Sequence, residues 1–468
     1  MASKFDNRGI VQPSGVMEIK FNVTKPTNII KFHAHTAFIK IKSIEISSVA
    51  KYSFIKNETI FPDIVVLTLN ENLLPNNEIQ MKIRYNTKVV LNDTIGIFRG
   101  QSLNFQTLKN ENYYVTQLES IELRKVFPSF DDISIKAKFT FSLKHFKTMT
   151  AISTSAIKRI DINGVYAISH FDETITMSTY VFGFALSSFR STTFISNNNV
   201  TLKVWAPHEQ YYTSLLVGET QIGIFNELTK YFKTPYILPK IDTMMLPKFK
   251  YGGMENVGLI VIDGNSVKYI HAVTNSNSIL IVNLIAHELI HQWIGNLVTP
   301  KEWKYIWLSE GITKFLEFLI TDKLHPNMFP NHKYISFDLI YHRTAMEVDS
   351  TENFHPVEFY FDPSTEAFVK HFSFSYYKGF CITQMIYHLL GDKQFEKGIN
   401  AYIANYAYKS VSSNDFFAVM DRYVEKRQPN SPNLIEVGLS WTSQAGFPLI
   451  TVTQRRTICM DDNKDNGT

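Results

Sequence analysis

The sequence predicts a multidomain fold, in which an all-β N-terminal domain is followed by an α+β domain that is mainly helical. The chain has 468 residues, more than one hydrophobic core usually organises. Its first 190 residues are rich in strand-like runs, whereas apolar residues recur at helical spacing from residue 213 onward. We therefore expect a β domain over residues 1–190, a second domain over 191–443 and a remnant over 444–468.

Alternating hydrophobicity predicts individual strands in the β domain. The run 136–143 alternates cleanly, so one face of a single strand would carry Ala137, Phe139, Phe141 and Leu143. Residues 32–46 and 181–189 are similarly rich in β-branched and aromatic side chains, and they are predicted as strands on that ground.

Helical periodicity predicts the elements of the second domain. The pattern indicates helices over residues 212–232, from 274–275 to 295–296, over 308–321 and over 374–390. A short strand over 241–246 would lie between two prolines. The final residues, 461–468, are polar and are predicted to be disordered.

Composition and charge narrow the classes of function. The formal net charge is +4 and no block of lysine and arginine concentrates it, which argues against nucleic-acid binding. With two cysteines, Cys381 and Cys459, at most one disulfide can form. The first residues carry no apolar signal core and no stretch reaches the length of a membrane span. The chain as written is therefore predicted to be soluble, with no compartment or oligomeric state assigned.

One five-residue motif carries the chemistry of a metal site. It reads His287-Glu288-Leu289-Ile290-His291, which places two histidines one turn apart on the same face of a predicted helix. Both imidazoles can therefore reach one ion, while Glu288 projects roughly 100° further round the helix. A carboxylate there could take a proton from a water molecule that zinc acidifies. The competing interpretation is a chance match on a buried helix.

The third ligand is predicted to come from the next helix. The metzincin spacing fails, because Ile294 and Leu297 stand where that pattern needs glycine and histidine. Glu310 lies nineteen positions after His291, at the start of the following apolar run. It would complete a His2Glu site with one open position, which predicts one Zn²⁺ per chain. The alternative for Glu310 is a glutamate favoured only by the helix dipole.

These motifs, with others along the chain, resemble the M1 family of zinc aminopeptidases. Around the metal motif the resemblance rests on His287-Glu288-Leu289-Ile290-His291-Gln292-Trp293, Gly295-Asn296-Leu297-Val298-Thr299 and Trp307-Leu308-Ser309-Glu310-Gly311. Upstream, Gly252-Gly253-Met254-Glu255-Asn256 is similar to the family's G-A-M-E-N exopeptidase motif. Further similar segments are Thr116-Gln117-Leu118-Glu119, Met177-Ser178-Thr179-Tyr180 and Tyr376-Tyr377-Lys378-Gly379. The resemblance covers nearly the whole chain.

The resemblance implies a particular architecture. The β domain would be saddle-like and the second domain thermolysin-like, and residues after 443 would be the first strand of a third, β-sandwich domain. Family members usually continue into a C-terminal helical domain that covers the active-site cavity. By this comparison the chain resembles a form shortened at its C-terminus and at its N-terminus.

The resemblance also implies a function, the removal of the N-terminal residue from peptides with a free N-terminus. Glu288 would be the general base and Tyr376 the donor to the oxyanion, whereas Tyr377 would be a packing residue. Glu255 and Glu119 would bind the α-ammonium group. The remaining substrate contacts would come from Gln117, Gly252, Gly253 and Met254.

Departures from the family pattern leave other functions open. Val257, Gly253 and Ser309 replace the family's usual Trp, Ala and Asn, so the side-chain preference is not assigned. The main alternative is a catalytically weak or inactive peptide-binding isoform, because the C-terminal lid domain would be missing. A zinc endopeptidase is disfavoured by the two amine-binding carboxylates. The family's epoxide hydrolase branch shares the Gly-Gly-Met-Glu-Asn segment, but other motifs are closer to aminopeptidase N.

Overall fold

The structure is a computed structural model that describes residues 2–5, 11–47, 54–60, 62–267, 276–324, 341–351, 354–425 and 432–453. A β-rich N-terminal part precedes a C-terminal part in which helices dominate, so the predicted two-part arrangement is confirmed. The predicted disordered tail, 461–468, lies outside the described residues. Among the described residues, no helix is both long enough and apolar enough to cross a membrane.

Seventeen strands make up the described N-terminal part. They are β1 (Ala2–Phe5), β2 (Val11–Asn22), β3 (Thr27–His33), β4 (Lys40–Ser47), β5 (Phe54–Ile60), β6 (Ile64–Leu73), β7 (Glu78–Asn86), β8 (Val89–Val90), β9 (Gly96–Asn104), β10 (Lys109–Gln117), β11 (Lys136–Ala137), β12 (Ser142–Phe146), β13 (Thr150–Ser153), β14 (Ile157–Asn163), β15 (Tyr166–Phe171), β16 (Met177–Ser178) and β17 (Phe184–Ser187). The larger sheets run in the orders β1-β2-β7-β4, β3-β6-β5, β12-β15-β14 and β13-β17-β10-β9-β8. In the last of these sheets, strand β10 ends at Gln117, next to the site described below.

The prediction of one continuous strand over 136–143 is wrong. The structure has two short strands there, β11 and β12, which belong to different sheets. Between them, the backbone N–H of Phe139 donates to the hydroxyl of Thr174 at 2.9 Å instead of joining a ladder. The ring of Phe139 nevertheless packs against Phe182, with centroids 5.3 Å apart. The alternation in the sequence therefore correctly indicated that one face is buried, but it did not indicate that the whole run belongs to one sheet.

A mixed five-stranded sheet begins the C-terminal part. Its strands are β18 (Arg190–Ile195), β19 (Thr201–Ala206), β20 (Lys240–Leu246), β21 (Gly253–Met254) and β22 (Leu259–Asp263). The order is β18-β19-β20-β22-β21, with β19, β20 and β22 parallel. A further pair, β23 (Thr299–Pro300) and β24 (Ser410–Val411), lies apart from this sheet.

Eight α-helices of the C-terminal part fall within the described residues. They are α1 (Tyr211–Tyr231), α2 (Ser276–Ile290), α3 (Trp307–Leu324), α4 (Arg343–Asp349), α5 (Glu366–Leu390), α6 (Asp392–Tyr406), α7 (Ser413–Asp421) and α8 (Leu434–Thr442). Short 3-10 helices occur at Leu123–Lys125, Thr179–Val181, His208–Gln210 and Trp303–Tyr305. Each of the four predicted helices is present, and two of them have an end that differs from the prediction by five residues or more.

The two differing bounds have local causes. Helix α5 begins at Glu366, eight residues before its predicted start, because the hydroxyl of Thr365 caps it by accepting the N–H of Phe368. Helix α2 ends at Ile290, before the predicted end, and the chain then turns through Gly295, whose φ is +106°. A positive φ is accessible to glycine and costly for other residues, so the turn is fixed at this position.

Two hydrophobic cores meet where the site lies. The first core contains the apolar face of α2 together with Trp307 and Ile312 of α3. The second core fills the β-rich part but also takes in Met254, Val261 and Phe368 from the C-terminal part. The second core thus contains side chains from both the β-rich part and the C-terminal part, and the end of β10 lies beside the helices for this reason. Residues 444–453 pair with no other strand among the described residues, and the third β domain stays a prediction.

Candidate metal centre and substrate cavity

Helices α2 and α3 bring three potential metal ligands together. The Nε2 atoms of His287 and His291 are 2.9 Å apart, and Oε2 of Glu310 lies 3.3 Å and 3.4 Å from them. Zinc bonds of about 2.0–2.1 Å at tetrahedral angles would separate such ligand atoms by roughly 3.3 Å. All three residues are buried, and they form a group able to hold a metal ion. The donor set therefore fits one zinc ion.

Hydrogen bonds behind the histidines orient their rings. Nδ1 of His287 lies 2.9 Å from Oε2 of Glu317, and Nδ1 of His291 lies 3.0 Å from the carbonyl oxygen of Ile294. Both partners are acceptors, so in the neutral imidazoles that bind a metal each Nδ1 carries the proton and each Nε2 directs its lone pair toward the centre. Sequence reasoning missed Glu317. Its position seven residues after Glu310, two turns along the same helix face, was the available signal.

The electrostatic field at the centre favours a cation. Burial by itself would lower the pKa of His291, but the carboxylates of Glu310 and Glu255 outweigh it and raise that pKa to about 10. In the opposite direction, burial would raise the pKa of Glu310, yet His291 and His287 hold it below its ordinary value. Carboxylate oxygens of Glu119, Glu255 and Glu310 also lie within 4.8 Å of one another. A divalent ion would compensate this negative charge.

Glu288 points beside the ligands, and Gly253 leaves it room to do so. Its carboxylate is buried, and Oε2 has no hydrogen-bond partner among the described residues. Burial raises the pKa of Glu288 to about 8. A Cβ atom on Gly253 would stand 2.0 Å from Oε1 of Glu288. The glycine that replaces the family's alanine is therefore in direct contact with the predicted base.

Tyr376, on α5, covers the other side of the centre. Its ring stacks on that of His287 with centroids 5.8 Å apart and planes 22° apart. Burial, reinforced by Glu310, raises the pKa of the Tyr376 hydroxyl above its ordinary value, so the hydroxyl keeps its proton. Tyr377 instead packs against Tyr341, with ring centroids 5.8 Å apart. The expectation that Tyr377 is a packing residue agrees with this contact.

The two predicted amine-binding carboxylates come from different parts of the chain. Glu255 is held by its backbone carbonyl, which accepts hydrogen bonds from the side chains of Asn296 at 2.8 Å and Gln292 at 3.1 Å. Its own Oε1, like Oε1 of Glu119, has no hydrogen-bond partner among the described residues. Burial raises the pKa of both carboxyls. Glu119 follows β10 by two residues, so the β-rich part delivers it to the site.

The other predicted substrate contacts differ in how they reach the site. Gln117 donates from Nε2 to the sulfur of Met254 at 3.3 Å. Met254 is only 1% exposed, so its buried sulfur orients the side chain of Gln117 from the side away from solvent. Gly252 has a φ of +81°, which favours glycine, and nothing lies within 4 Å of the point where a Cβ would stand. Gly253 borders the cavity directly.

Most of these groups line one cavity of about 920 Å³, whereas Gly252, Met254 and Glu310 are not among its lining residues. Gln117 and Glu119 line it from the β-rich part, and His287, Glu288 and Tyr376 line it from the helical part. A wall from the first turns of α5 adds Phe368, Val369, Phe372 and Ser373. The volume lies within the range usual for ligand pockets, which is about 300–1,000 Å³.

Comparison with known proteins identifies the family. The Peptidase M1 N-terminal domain matches residues 10–181, and the Peptidase family M1 domain matches residues 218–437. The two matches follow one another along most of the chain. This chain belongs to the peptidase M1 family. The M1 match includes the His2Glu group and the Tyr376 helix described above.

Similar proteins come from animals and plants. This M1 chain is 28% identical to aminopeptidase N of Bos taurus, over 96% of its own length and 48% of the relative. It is 28% identical to endoplasmic reticulum aminopeptidase 1 of Rattus norvegicus, over 94% of the chain and 50% of the relative. Against aminopeptidase M1 of Arabidopsis thaliana it is 29% identical, over 94% and 49%. The chain thus spans about half the length of the curated relatives it matches.

Proposed function

We propose that this chain is a zinc-dependent aminopeptidase, which hydrolyses the first peptide bond of peptides that have a free N-terminus. One observation carries the proposal. Oε1 of Glu255 and Oε1 of Glu119 are buried beside the His2Glu group, and neither has a hydrogen-bond partner among the described residues. Paired carboxylates without partners are what a substrate ammonium needs in a partly dry cleft. The names of the M1 relatives support the same activity.

His287, His291 and Glu310 would hold the zinc ion. When bound, the ion would polarise the scissile carbonyl as a Lewis acid and acidify a water molecule. The hydrogen bonds from the two Nδ1 atoms support this assignment, because they leave both Nε2 atoms free to coordinate. The finer description of the fold, a saddle-like β domain and a thermolysin-like catalytic domain, belongs to the same proposal. Its support is the His2Glu set on two successive helices.

The protein's own residues would do the remaining chemistry. Glu288 accepts a proton from the attacking water and gives it to the leaving amine. Its unpartnered Oε2 at the cavity is available for this role. The Tyr376 hydroxyl, which keeps its proton, donates to the oxygen that becomes negative in the transition state. Gln117 would border the pocket for the first side chain, with Gly252, Gly253 and Met254 shaping the backbone approach.

Matched peptides test the requirement for a free amine. An ammonium between Glu255 and Glu119 gains charge-assisted hydrogen bonds worth roughly 1.5–3 kcal/mol each. N-acetylation removes the charge and these donors, so kcat/KM should fall at least about a thousandfold. In Glu255→Ala the free peptide should lose most of this advantage. Glu219→Ala, an exposed glutamate of α1, is the matched control and should keep the full preference.

Two outcomes would contradict the assignment. Efficient cleavage of acetylated peptides, or an intact preference in Glu255→Ala, would remove the aminopeptidase interpretation while leaving the metal centre. Binding of free peptide without hydrolysis by the zinc-loaded chain would favour the weakly active, peptide-binding alternative. Both are read from the same pair of peptides.

A further inference from the structure

Behind His287 the structure contains a short chain of charged contacts that the mechanism above does not use. Oε2 of Glu317 lies 2.9 Å from Nδ1 of His287. Nζ of Lys314 donates to both carboxylate oxygens of Glu317, at 2.9 Å and 3.1 Å. The side chain of Glu317 is completely buried. The order Lys314–Glu317–His287 therefore runs from the cavity edge to the back of a proposed ligand.

Helix geometry explains why these residues form one line. Lys314 and Glu317 follow Glu310 by four and seven residues on α3, so all three lie on one face of that helix. This face packs against α2, which carries His287. A single helix thus supplies both a proposed ligand and the groups that support the neighbouring ligand.

The charge balance gives Lys314 a specific task. A buried carboxylate is costly unless a cation and hydrogen bonds compensate it. Lys314 supplies two hydrogen bonds to Glu317 and also lies over the ring of Tyr341, with Nζ 5.8 Å from the centroid. Because Lys314 donates to both carboxylate oxygens of Glu317, it fixes the plane of that carboxylate. That plane determines the direction in which His287 donates its Nδ1 proton.

We propose that Lys314 is a positioning residue that acts through Glu317 to hold His287 in the orientation and tautomer needed for zinc binding. This inference rests on the metal centre of the proposed function and extends it to a residue outside the ligand set. It makes zinc affinity depend on a lysine that does not touch the ion. Groups of this kind behind a ligand typically change metal affinity by about 10–100-fold.

Lys314 has a second possible role that the test must separate. Its side chain is 21% exposed, and it borders the cavity that would receive the peptide. A direct contact with substrate would change KM and leave zinc affinity unaltered. The positioning role predicts the reverse.

The experiment measures the zinc dissociation constant of the full chain by competition with a chelator, without peptide. Lys314→Met keeps the length of the side chain but removes its charge, and it should weaken zinc binding about 10–100-fold. Lys314→Arg keeps charge and donors and should stay within about threefold of wild type. Lys323→Met is the matched control, since Lys323 lies on the same helix over the ring of Tyr231 but away from the site. It should bind zinc as wild type does.

With saturating zinc, the KM for a free peptide should be the same in Lys314→Met and wild type. If Lys314→Met does not fold, Lys314→Gln makes the same test, because it also removes the charge that contacts Glu317 and leaves Glu317 itself unchanged. Zinc binding by either variant within about twofold of wild type would overturn the inference, as would a raised KM with unchanged zinc affinity. A wild-type chain that binds no zinc would instead overturn the proposed metal centre itself.

Discussion

Glu288 occupies the space that a side chain at position 253 would take. A Cβ there would meet Oε1 of Glu288 at 2.0 Å, and the carboxylate is not among the three grouped ligands. We therefore expect Glu288→Ala to keep its zinc and lose turnover, since the predicted base is removed and the ligands remain. Metal content and kcat, measured on the same preparation, check this. Loss of zinc together with activity would give Glu288 a ligand role and contradict the prediction.

Tyr376 has contacts that separate binding from catalysis. Its ring packs on His287, while its buried hydroxyl keeps a proton that it can donate. Tyr376→Phe preserves the ring and removes the donor. The variant should keep zinc and lose about 10²–10³ in kcat, with a smaller change in KM. Steady-state kinetics decide, and a kcat within about twofold of wild type would assign the oxyanion contact to another group.

Helices α3 and α5 cross at two glycines, and this contact brings Glu310 and Tyr376 together. A Cβ on Gly311 would stand 2.5 Å from backbone atoms of Gly379, and a Cβ on Gly379 would stand 2.9 Å from Cα of Gly311. Backbone cannot move aside as a flexible side chain can. The glycine of the Tyr-x-Lys-Gly motif thus has a packing reason, which the sequence alone did not supply.

Gly379→Ala should therefore separate the two helices. We expect a loss of about 1–3 kcal/mol in the free energy of unfolding and weaker zinc binding, because Glu310 moves with α3. Thermal unfolding and zinc titration measure the two effects. Gly223→Ala in α1 is the control, since nothing lies within 4 Å of its added Cβ, and it should gain up to about 1 kcal/mol. Equal stability of Gly379→Ala and wild type would show that the crossing tolerates a methyl group.

Strand β11 is tied to the loop after α2 by Lys136. Its Nζ donates to the carbonyl oxygens of Leu297 at 3.1 Å and Asn296 at 3.4 Å, both neutral partners. Burial lowers the pKa of Lys136 from 10.5 to about 7. The folded chain thus binds fewer protons than the unfolded chain between these two values. The stability associated with Lys136 is full above the unfolded pKa, and it is lost as the pH falls toward about 7.

The difference in free energy of unfolding between wild type and Lys136→Met should therefore rise with pH across this window. The slope should reach up to about 1.4 kcal/mol per pH unit and vanish below it. Denaturant unfolding at several pH values measures it, and effects of other titrating groups cancel in the difference. Lys138→Met is the matched control, because it removes an exposed lysine, paired with Glu173, two positions along the chain. A flat difference for Lys136→Met would contradict a depressed pKa.

At the scale of the whole molecule, a metal ion would join two helices and stabilise the fold around them. Its ligands are His287 on α2, His291 directly after α2 and Glu310 on α3, and both helices belong to one hydrophobic core. Zinc at a hundred times its dissociation constant would add about 2.7 kcal/mol to the free energy of unfolding. Chelation should therefore lower the Tm of wild type. Glu310→Gln should hold well under one zinc per chain and show little response to the chelator. Unchanged occupancy would remove Glu310 from the ligand set.

The sequence by itself determined the features that depend on local spacing. His287 and Glu288 lie on α2, and His291 directly follows its last residue with its N–H still bonded to the carbonyl oxygen of His287 at 3.2 Å. The helical period therefore fixes their relative directions, and their chemistry could be predicted before any contact was known. The change from strand-like to helical periodicity likewise predicted the two-part arrangement. The same local rules failed at 136–143, where alternation correctly indicated a buried face, but the two ends of the run form strands β11 and β12 of different sheets.

Only the tertiary structure decided which distant groups meet. Glu317 behind His287, Met254 beneath Gln117 and Lys136 against Leu297 join segments between 30 and 161 residues apart. The close approach of Gly311 to Gly379 is of the same kind. Each of these contacts depends on how whole elements pack, and packing is set by the shape and volume of many side chains at once. A residue's own neighbours in the chain therefore carry little information about them.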